Sequence, residues 1–220
     1  MVQNTPKRPR GRPPAYDRDR ALSQAGDTFW QGGYSATSLD DLSNATGMNR
    51  PSLYGAFGDK HALYMETLAR RGEASQAAMR NLLAQDRPLP DLLMQLYDAA
   101  LAIYLSGRVP RGCFLIGTAL SEAVKDKAIR ARLLHELQGA DAAFEARFKR
   151  ARETGELAAD ADVKGLAHVA AAMLNALAVR ARAGESRSVL RATAAATVKL
   201  ICGAPSPHAA ERMGAPKKRA

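Results

Sequence analysis

Three adjacent side chains, at positions 50 to 52, have the chemistry to read the edges of nucleic acid bases. The guanidinium of Arg50 can donate two hydrogen bonds to a guanine, and the hydroxyl of Ser52 can donate or accept one. Pro51 offers only an apolar contact, for example to the methyl group of a thymine. These three residues are therefore the candidates for base reading.

A second set of nearby side chains carries groups that bind phosphate. Hydroxyl, phenol and cationic groups, together with helix N-termini, hold a duplex by its backbone and set the register of the protein on it. The residues of this kind around the base-reading group are Thr37, Ser38, Tyr54, Lys60 and His61. Each alone would also suit an ordinary core or surface position, but their joint spacing favours contact with a duplex.

Cys113 is a candidate for a different kind of chemistry. It follows Arg111 and Gly112 and is expected to open a helix, where the positive helix end and the nearby cation would lower the pKa of the thiol. One interpretation is a sensor of oxidants or electrophiles. The other is a buried and inert thiol.

The sequence shows no pattern typical of catalysis, metal binding or cofactor binding. Its four histidines lack HxxxH or HExxH spacing, its two cysteines lack CxxC spacing, and GxSxG, P-loop and GxGxxG motifs do not occur. We therefore predict no enzyme activity, no metal site and no cofactor. No apolar run is long enough for a membrane span or a signal-peptide core, which predicts a soluble cytoplasmic protein without a membrane partner.

The candidate contact residues lie on two short predicted helices joined by a tight turn. Ser38 and the acidic residues after it mark the start of the first helix, and Gly47 marks its end. Asn49 can cap the second helix, whose first turn tolerates Pro51. The pattern predicts a helix-turn-helix in which the second helix points its first turn into a groove of the duplex. The residues assigned to its small core are Leu39, Leu42, Met48, Leu53 and Phe57.

Residues around this helix-turn-helix form a more specific pattern. It comprises an aromatic near the end of the first helix, Gly33-Tyr34, Leu53-Tyr54, Phe57, Asp59-Lys60 and Leu63. Over residues 18 to 65 the chain thereby resembles the DNA-binding domain of the tetracycline-repressor (TetR) family. Two positions depart from the family pattern, since Ser43 replaces the usual alanine and Gly55 replaces the usual histidine or tyrosine. We assign no role to Gly55.

Basic residues are concentrated at the two ends of the chain. Residues 1 to 20 hold six lysines and arginines against two aspartates, and residues 203 to 220 hold four against one glutamate. The segment Pro9-Arg10-Gly11-Arg12-Pro13 is similar to the core of an AT-hook, which lies extended in a narrow minor groove. Arg10, Gly11 and Arg12 are thus candidates for a minor-groove arm. A plain solvated tail is the alternative at either end.

Composition and apolar spacing predict an all-α protein, with an N-terminal three-helix helix-turn-helix head joined to a larger α-helical domain. The resemblance implies that this larger domain is a ligand-binding and dimerisation domain. We predict a disordered basic arm over residues 1–16, the head over 17–63, the larger domain over 64–203 and a disordered basic tail over 204–220. The resemblance implies a homodimer formed by the last two helices. The alternative is a monomer whose apolar stripes face an internal core.

The resemblance also implies a small-molecule pocket among the middle helices. Residues expected to line it are Tyr97, Tyr104, Phe114 and Met173, although such residues also suit an ordinary core. We therefore expect a repressor that binds double-stranded operator DNA as a homodimer and is released by an unknown small-molecule effector. The alternatives are a redox or electrophile sensor that uses Cys113, and an architectural DNA-binding protein of low sequence specificity.

Overall fold

A computed structural model describes residues 16–203, and this part of the chain is helical without β-strands, as the sequence predicts. Its helices are α1 (Arg18–Gly32), α2 (Leu39–Thr46), α3 (Arg50–Phe57), α4 (Lys60–Leu83), α5 (Leu89–Tyr104), α6 (Phe114–Ala119), α7 (Lys127–Glu153), α8 (Val163–Arg182) and α9 (Arg187–Cys202). A single 3₁₀ turn, Glu122–Val124, separates α6 from α7. Within residues 16–203, no helix is long and apolar enough to cross a membrane.

Side-chain caps fix the start of both helices of the helix-turn-helix. The hydroxyl of Ser38 accepts a hydrogen bond from the Asp41 N–H, and the Asp41 carboxylate accepts one from the Ser38 N–H, which completes a capping box on α2. The Asn49 side chain accepts a hydrogen bond from the Ser52 N–H and so caps α3. Gly47 ends α2 with a φ of 67°, a conformation that glycine adopts without strain.

Two apolar clusters form the core. The first joins α1 to α4 and extends into α6, the 3₁₀ turn and the start of α7, with Phe29, Leu42 and Tyr64 fully buried. The second fills the space between α5, α7, α8 and α9 and includes Tyr97, Phe144 and Phe148. Helix α4 contributes to both, so the predicted division at residue 63 falls inside one continuous helix.

A cluster of charged and aromatic side chains joins α1 to α4 and to the loop before α6. Asp27 of α1 accepts hydrogen bonds from Arg71 at 3.1 Å and from Arg111 at 3.2 Å. Arg71 also lies over the Trp30 ring, with its guanidinium carbon 5.1 Å from the ring centre. A Cβ at Gly26 of α1 would lie 2.7 Å from Arg71 Nε. The glycine, which weakens a helix, thus makes room for this arginine.

Another arginine, Arg147 of α7, is buried in the larger helical part of the molecule, away from the helix-turn-helix. Its side chain is only 3% exposed, and Nη2 donates to the carboxylate of Glu156 at 2.8 Å and to the carbonyl of Arg87 at 3.0 Å. Glu156 also accepts the N–H of Leu89, the first residue of α5. This pair therefore ties α7 to the start of α5 and to the loop that precedes α8.

Candidate nucleic-acid interface

The first turn of α3 presents the three base-reading candidates at the surface. Arg50 and Pro51 are exposed and Ser52 is partly exposed, while Leu53 and Phe57 on the other side of the helix are buried. The helix is thus held from behind by its apolar face, and its N-terminus faces outward. That is the arrangement in which a recognition helix meets base edges.

Arg50 is not a free side chain in this arrangement. Its Nε lies 3.0 Å from Asp40 Oδ1 and its Nη2 lies 2.7 Å from Asp40 Oδ2, so the guanidinium and the carboxylate form a two-bond pair. The hydrogen bonds to Asp40 also raise the pKa of Arg50 above its ordinary value. The pair joins the first turn of α2 to the first turn of α3.

Two of the phosphate-contact candidates lie where a duplex could reach them. The Tyr54 side chain is exposed, with 48% of its surface accessible. Ser38 is exposed as well, but its hydroxyl is engaged in the capping box with Asp41. A role for either residue on phosphate stays a prediction, and Ser38 has a structural role in addition.

Thr37 was predicted to contact phosphate, which requires an accessible side chain, but the side chain is buried. Thr37 is 3% exposed, and its hydroxyl donates to the Gly33 carbonyl at 2.7 Å. The residue sits in the turn that follows α1, where a hydroxyl satisfies an otherwise unpaired carbonyl. A buried hydroxyl with a partner inside the protein has no access to phosphate, and Ser38, not Thr37, caps α2.

Lys60 and His61 open α4 and make contacts within the protein. The Lys60 ammonium lies 4.6 Å from the centre of the Tyr34 ring and 3.4 Å from the Ser35 carbonyl, and partial burial lowers its pKa. His61 Nε2 lies 2.9 Å from Asp126 Oδ2, at the start of α7. Phosphate contact by either residue stays a prediction, and for His61 it competes with Asp126.

The minor-groove candidates Arg10, Gly11 and Arg12 lie outside the described residues, as does the predicted C-terminal basic tail.

The four residues predicted to line an effector pocket are divided between the two apolar clusters. Tyr97 is fully buried, and its hydroxyl donates to the Ala170 carbonyl at 3.1 Å. Tyr104 and Met173 pack in the same cluster, whereas Phe114 belongs to the other one and packs edge-on against Trp30. Aromatic and methionine side chains fill cores as readily as pockets, and these four have a role in packing, so their lining of an effector pocket stays a prediction.

A cleft does open elsewhere, between α6 and the last turns of α8. It has a volume of about 390 Å³ and a largely apolar wall with Arg182 as its one charged member. The lining residues are Gly112, Cys113, Ile116, Gly117, Leu120, Ala178, Val179, Arg182 and Ala183. Of the residues singled out from the sequence, Cys113 alone lies in this wall.

The expected lowering of the Cys113 pKa is contradicted. Burial raises the pKa of the thiol, because desolvation of the thiolate outweighs the hydrogen bonds from the backbone N–H groups of Leu115 and Ile116. The Arg111 guanidinium, which was expected to stabilise the thiolate, turns away to Asp27 and the Trp30 ring. The surroundings thus favour the neutral thiol.

Residues that sequence reasoning missed are those whose partners lie far along the chain. Asp27, Arg71 and Arg111 come together only in the folded chain, and their spacing carries no periodic signal. Asp40 was treated as one of several acidic residues in a first helical turn. The signal available in the sequence is that Asp40 and Arg50 stand in the first turns of two consecutive short helices.

Comparisons with known proteins agree with this geometry. The family described as "Bacterial regulatory proteins, tetR family" matches residues 21–67, and the one described as "Tetracyclin repressor-like, C-terminal domain" matches residues 90–197. The HTH-type transcriptional repressor ComR of Escherichia coli (strain K12) is 33% identical over 199 residues, which cover 88% of this chain and 93% of ComR.

Solved structures show the same fold. A cysteine mutant of the regulator CifR in complex with 26-bp operator DNA is 34% identical, has a TM-score of 0.79, and is matched over 86% of this chain and 98% of that one. Reduced NemR of E. coli is 20% identical, with a TM-score of 0.76 over 86% of this chain and 98% of its own, and supports the fold alone.

Proposed function

Because the chain belongs to the tetR family of bacterial regulatory proteins, which bind DNA to regulate transcription, we propose that it is a repressor that binds its operator as a homodimer. The observation that carries this proposal is the outward-facing first turn of α3, with Arg50, Pro51 and Ser52 at the surface. The similarity to a relative whose structure was solved in complex with operator DNA supports it. Arg10, Gly11 and Arg12 would add contacts in the minor groove beside the site.

Dimer formation through α8 and α9 is part of the proposal. Both helices leave large apolar side chains at the surface, each more than half exposed. These residues are Val169, Val179, Val189 and Leu200. An isologous contact between two copies would cover them and would give the complex the two-fold symmetry that paired half-sites require.

Leu200→Glu should shift the protein from dimer to monomer in sedimentation velocity, because it places a charge in the proposed contact. Val124→Glu, in the 3₁₀ turn between α6 and α7, is the matched control, since Val124 is also exposed and its turn packs on α6 and α7. A dimer that tolerates Leu200→Glu as well as Val124→Glu would argue against this interface.

Release by a small molecule would start in the cleft between α6 and α8. The loop that forms one wall of the cleft also holds the DNA-binding part of the molecule. Gly112 and Cys113 line the cleft, while the preceding residue, Arg111, bonds Asp27 of α1. A Cβ at Gly112 would lie 2.9 Å from the Ala178 carbonyl, so the loop has no slack against α8.

A ligand that wedges α6 from α8 would thus move the loop and with it the contact to α1. The ligand shifts the equilibrium only if it binds the displaced state more tightly. Ile116→Trp, which fills the cleft, should weaken operator binding in the way an effector does. The weakening should be smaller when Asp27→Ala removes the link, and equal weakening in both backgrounds would contradict this route.

The primary test is selection of bound DNA from a random pool by the purified full chain. We expect a sequence with two-fold symmetry and half-sites spaced by about 34 Å or a multiple of it. Arg50→Ala should abolish the preference at one position in each half-site, and Arg152→Ala, an exposed arginine of α7, should leave it intact. Recovery of no preferred sequence would favour an architectural protein instead.

A further inference from the structure

The exposed pair between Asp40 of α2 and Arg50 of α3 has a definite geometry. Asp40 Oδ1 accepts a hydrogen bond from Arg50 Nε at 3.0 Å, and Asp40 Oδ2 accepts one from Arg50 Nη2 at 2.7 Å. Both side chains remain more than half exposed. An exposed ion pair contributes little to folding stability, so stability does not account for the arrangement.

The positions of the two partners are fixed by their helices. Asp40 lies in the first turn of α2, which the capping box of Ser38 and Asp41 holds. Arg50 is the first residue of α3, directly after the Asn49 cap. The carboxylate therefore meets the guanidinium from a backbone position in a capped helical turn.

This contact decides which donors of Arg50 are still free. A guanidinium has five N–H groups, one on Nε and two on each terminal nitrogen. Asp40 uses the Nε–H and one Nη2–H, along one edge of the planar group. The edge formed by Nη1 and the second Nη2–H is left, and it carries two parallel donors that match the O6 and N7 acceptors of a guanine.

We propose that Asp40 is a specificity-determining positioning residue, which holds Arg50 so that its free edge faces a guanine. This inference rests on the proposed function, because it assumes that Arg50 reads a base. Without Asp40 the long arginine side chain would sample many rotamers and would contact phosphates as readily as a base edge. With Asp40 in place, the orientation of the Arg50 guanidinium is set before DNA arrives.

The opposite role, in which Asp40 withholds Arg50 from DNA, makes the reverse prediction. Removal of a withholding carboxylate would free the arginine and strengthen the guanine preference. Removal of a positioning carboxylate weakens that preference, while the loss of one negative charge leaves affinity for random DNA unchanged or higher.

The experiment compares the full-length protein with its Asp40→Asn, Asp40→Glu, Arg50→Ala and Asp40→Asn/Arg50→Ala variants at one salt concentration. Each is titrated with the selected operator, with operators in which the guanine read by Arg50 is replaced, and with random duplex. Asp86→Asn, which removes an exposed carboxylate paired with Arg150 elsewhere, is the control. Circular dichroism and binding to random duplex confirm that each variant is folded.

We expect Asp40→Asn to reduce the preference for guanine about ten-fold, within the range that one two-bond arginine contact supplies. Asp40→Glu should restore part of it, and Asp86→Asn should not change it. In the Arg50→Ala background, Asp40→Asn should have no further effect, because the two residues act through one contact.

An undiminished or enhanced guanine preference in Asp40→Asn overturns the positioning role. If Arg50→Ala loses the preference while Asp40→Asn keeps it, base reading stands and only the inference about Asp40 fails. If neither variant changes the preference, the assignment of base reading to Arg50 fails, and the inference fails with it.

Discussion

Two arginine–carboxylate pairs, one on the DNA-binding part of the molecule and one deep in the larger helical part, use the same chemistry for different ends. Arg50 and Asp40 are side chains with 55% and 67% exposure, joined by two hydrogen bonds at the surface. Arg147 is 3% exposed and holds Glu156 together with the Arg87 carbonyl. The first pair is accessible to water and to DNA, whereas the guanidinium of the second is enclosed by the protein.

The difference lies in what surrounds each pair. A buried arginine that loses its carboxylate leaves an uncompensated charge inside the protein, which is costly. An exposed arginine that loses its carboxylate is solvated at once. We therefore expect the Arg147–Glu156 pair to govern stability and the Asp40–Arg50 pair to govern recognition.

The largest effect is expected at the buried pair. Arg147→Ala should lower the free energy of unfolding by about 3 kcal/mol, the low end for a broken buried pair, because Glu156 is partly exposed and can reach water. Urea unfolding followed by circular dichroism measures the change. The control on the same helix is Arg150→Ala, whose exposed pair with Asp86 should be worth less than about 1 kcal/mol.

The contrast between the buried and the exposed pair is contradicted if Arg147→Ala and Arg150→Ala are equally stable, or if Arg147→Ala alters base preference in molecules that remain folded. It is supported if Arg50→Ala removes the guanine preference and leaves the midpoint of urea unfolding unchanged.

The next effect concerns the cap that holds the start of α2. Ser38→Ala should cost about 1 kcal/mol of stability, because the Asp41 N–H loses its acceptor. Since Asp40 lies in the same turn, the guanine preference should weaken as well. Ser38→Asn, which keeps a capping oxygen, should recover most of both, and a preference unaffected by Ser38→Ala would separate the cap from recognition.

A smaller effect is expected at Lys60. Lys60→Ala should weaken binding to all duplexes alike and reduce the slope of log K against log salt by about one unit, as expected for one lost phosphate contact. Titrations at four salt concentrations measure the slope. An unchanged slope would mean that the ammonium remains on the Tyr34 ring and the Ser35 carbonyl in the complex.

The smallest effect is expected at the two thiols. Burial raises the pKa of Cys113, and it raises the pKa of Cys202 to about 11. A raised pKa means less thiolate at neutral pH, so iodoacetamide should modify both more slowly than free cysteine at pH 8 and faster as pH rises towards 11. Mass spectrometry follows the reaction, and rapid labelling of Cys113 at pH 7 would revive the sensor interpretation.

The sequence predicted those features that depend on neighbours along the chain. Caps and apolar spacing located α2 and α3, and the all-α fold is confirmed. The exposed face of α3 followed from the burial of Leu53 and Phe57. Each of these inferences uses contacts within one or two helical turns, where periodicity is informative.

Features that depend on packing between distant segments were not predictable. Tyr97 and Phe114 are both aromatic residues on predicted helices, yet they lie in different apolar clusters. The cleft between α6 and α8 is lined by other residues. Thr37 and Ser38 are adjacent hydroxyls, but one is buried by the turn and the other caps a helix. The direction taken by the Arg111 side chain, on which the predicted pKa of Cys113 depended, is set by Asp27 from 84 residues away.

Helix α4 begins beside the residues that we propose face the duplex and ends among the side chains of the larger cluster, without interruption over 24 residues. At 1.5 Å per residue it is a rod about 36 Å long. A tilt of about 5° pivoting at its far end would carry Lys60 sideways by about 3 Å, close to the spacing of one base pair. A rotation too small to disturb most side-chain packing would thus be enough to place a recognition helix one step out of phase with its half-site.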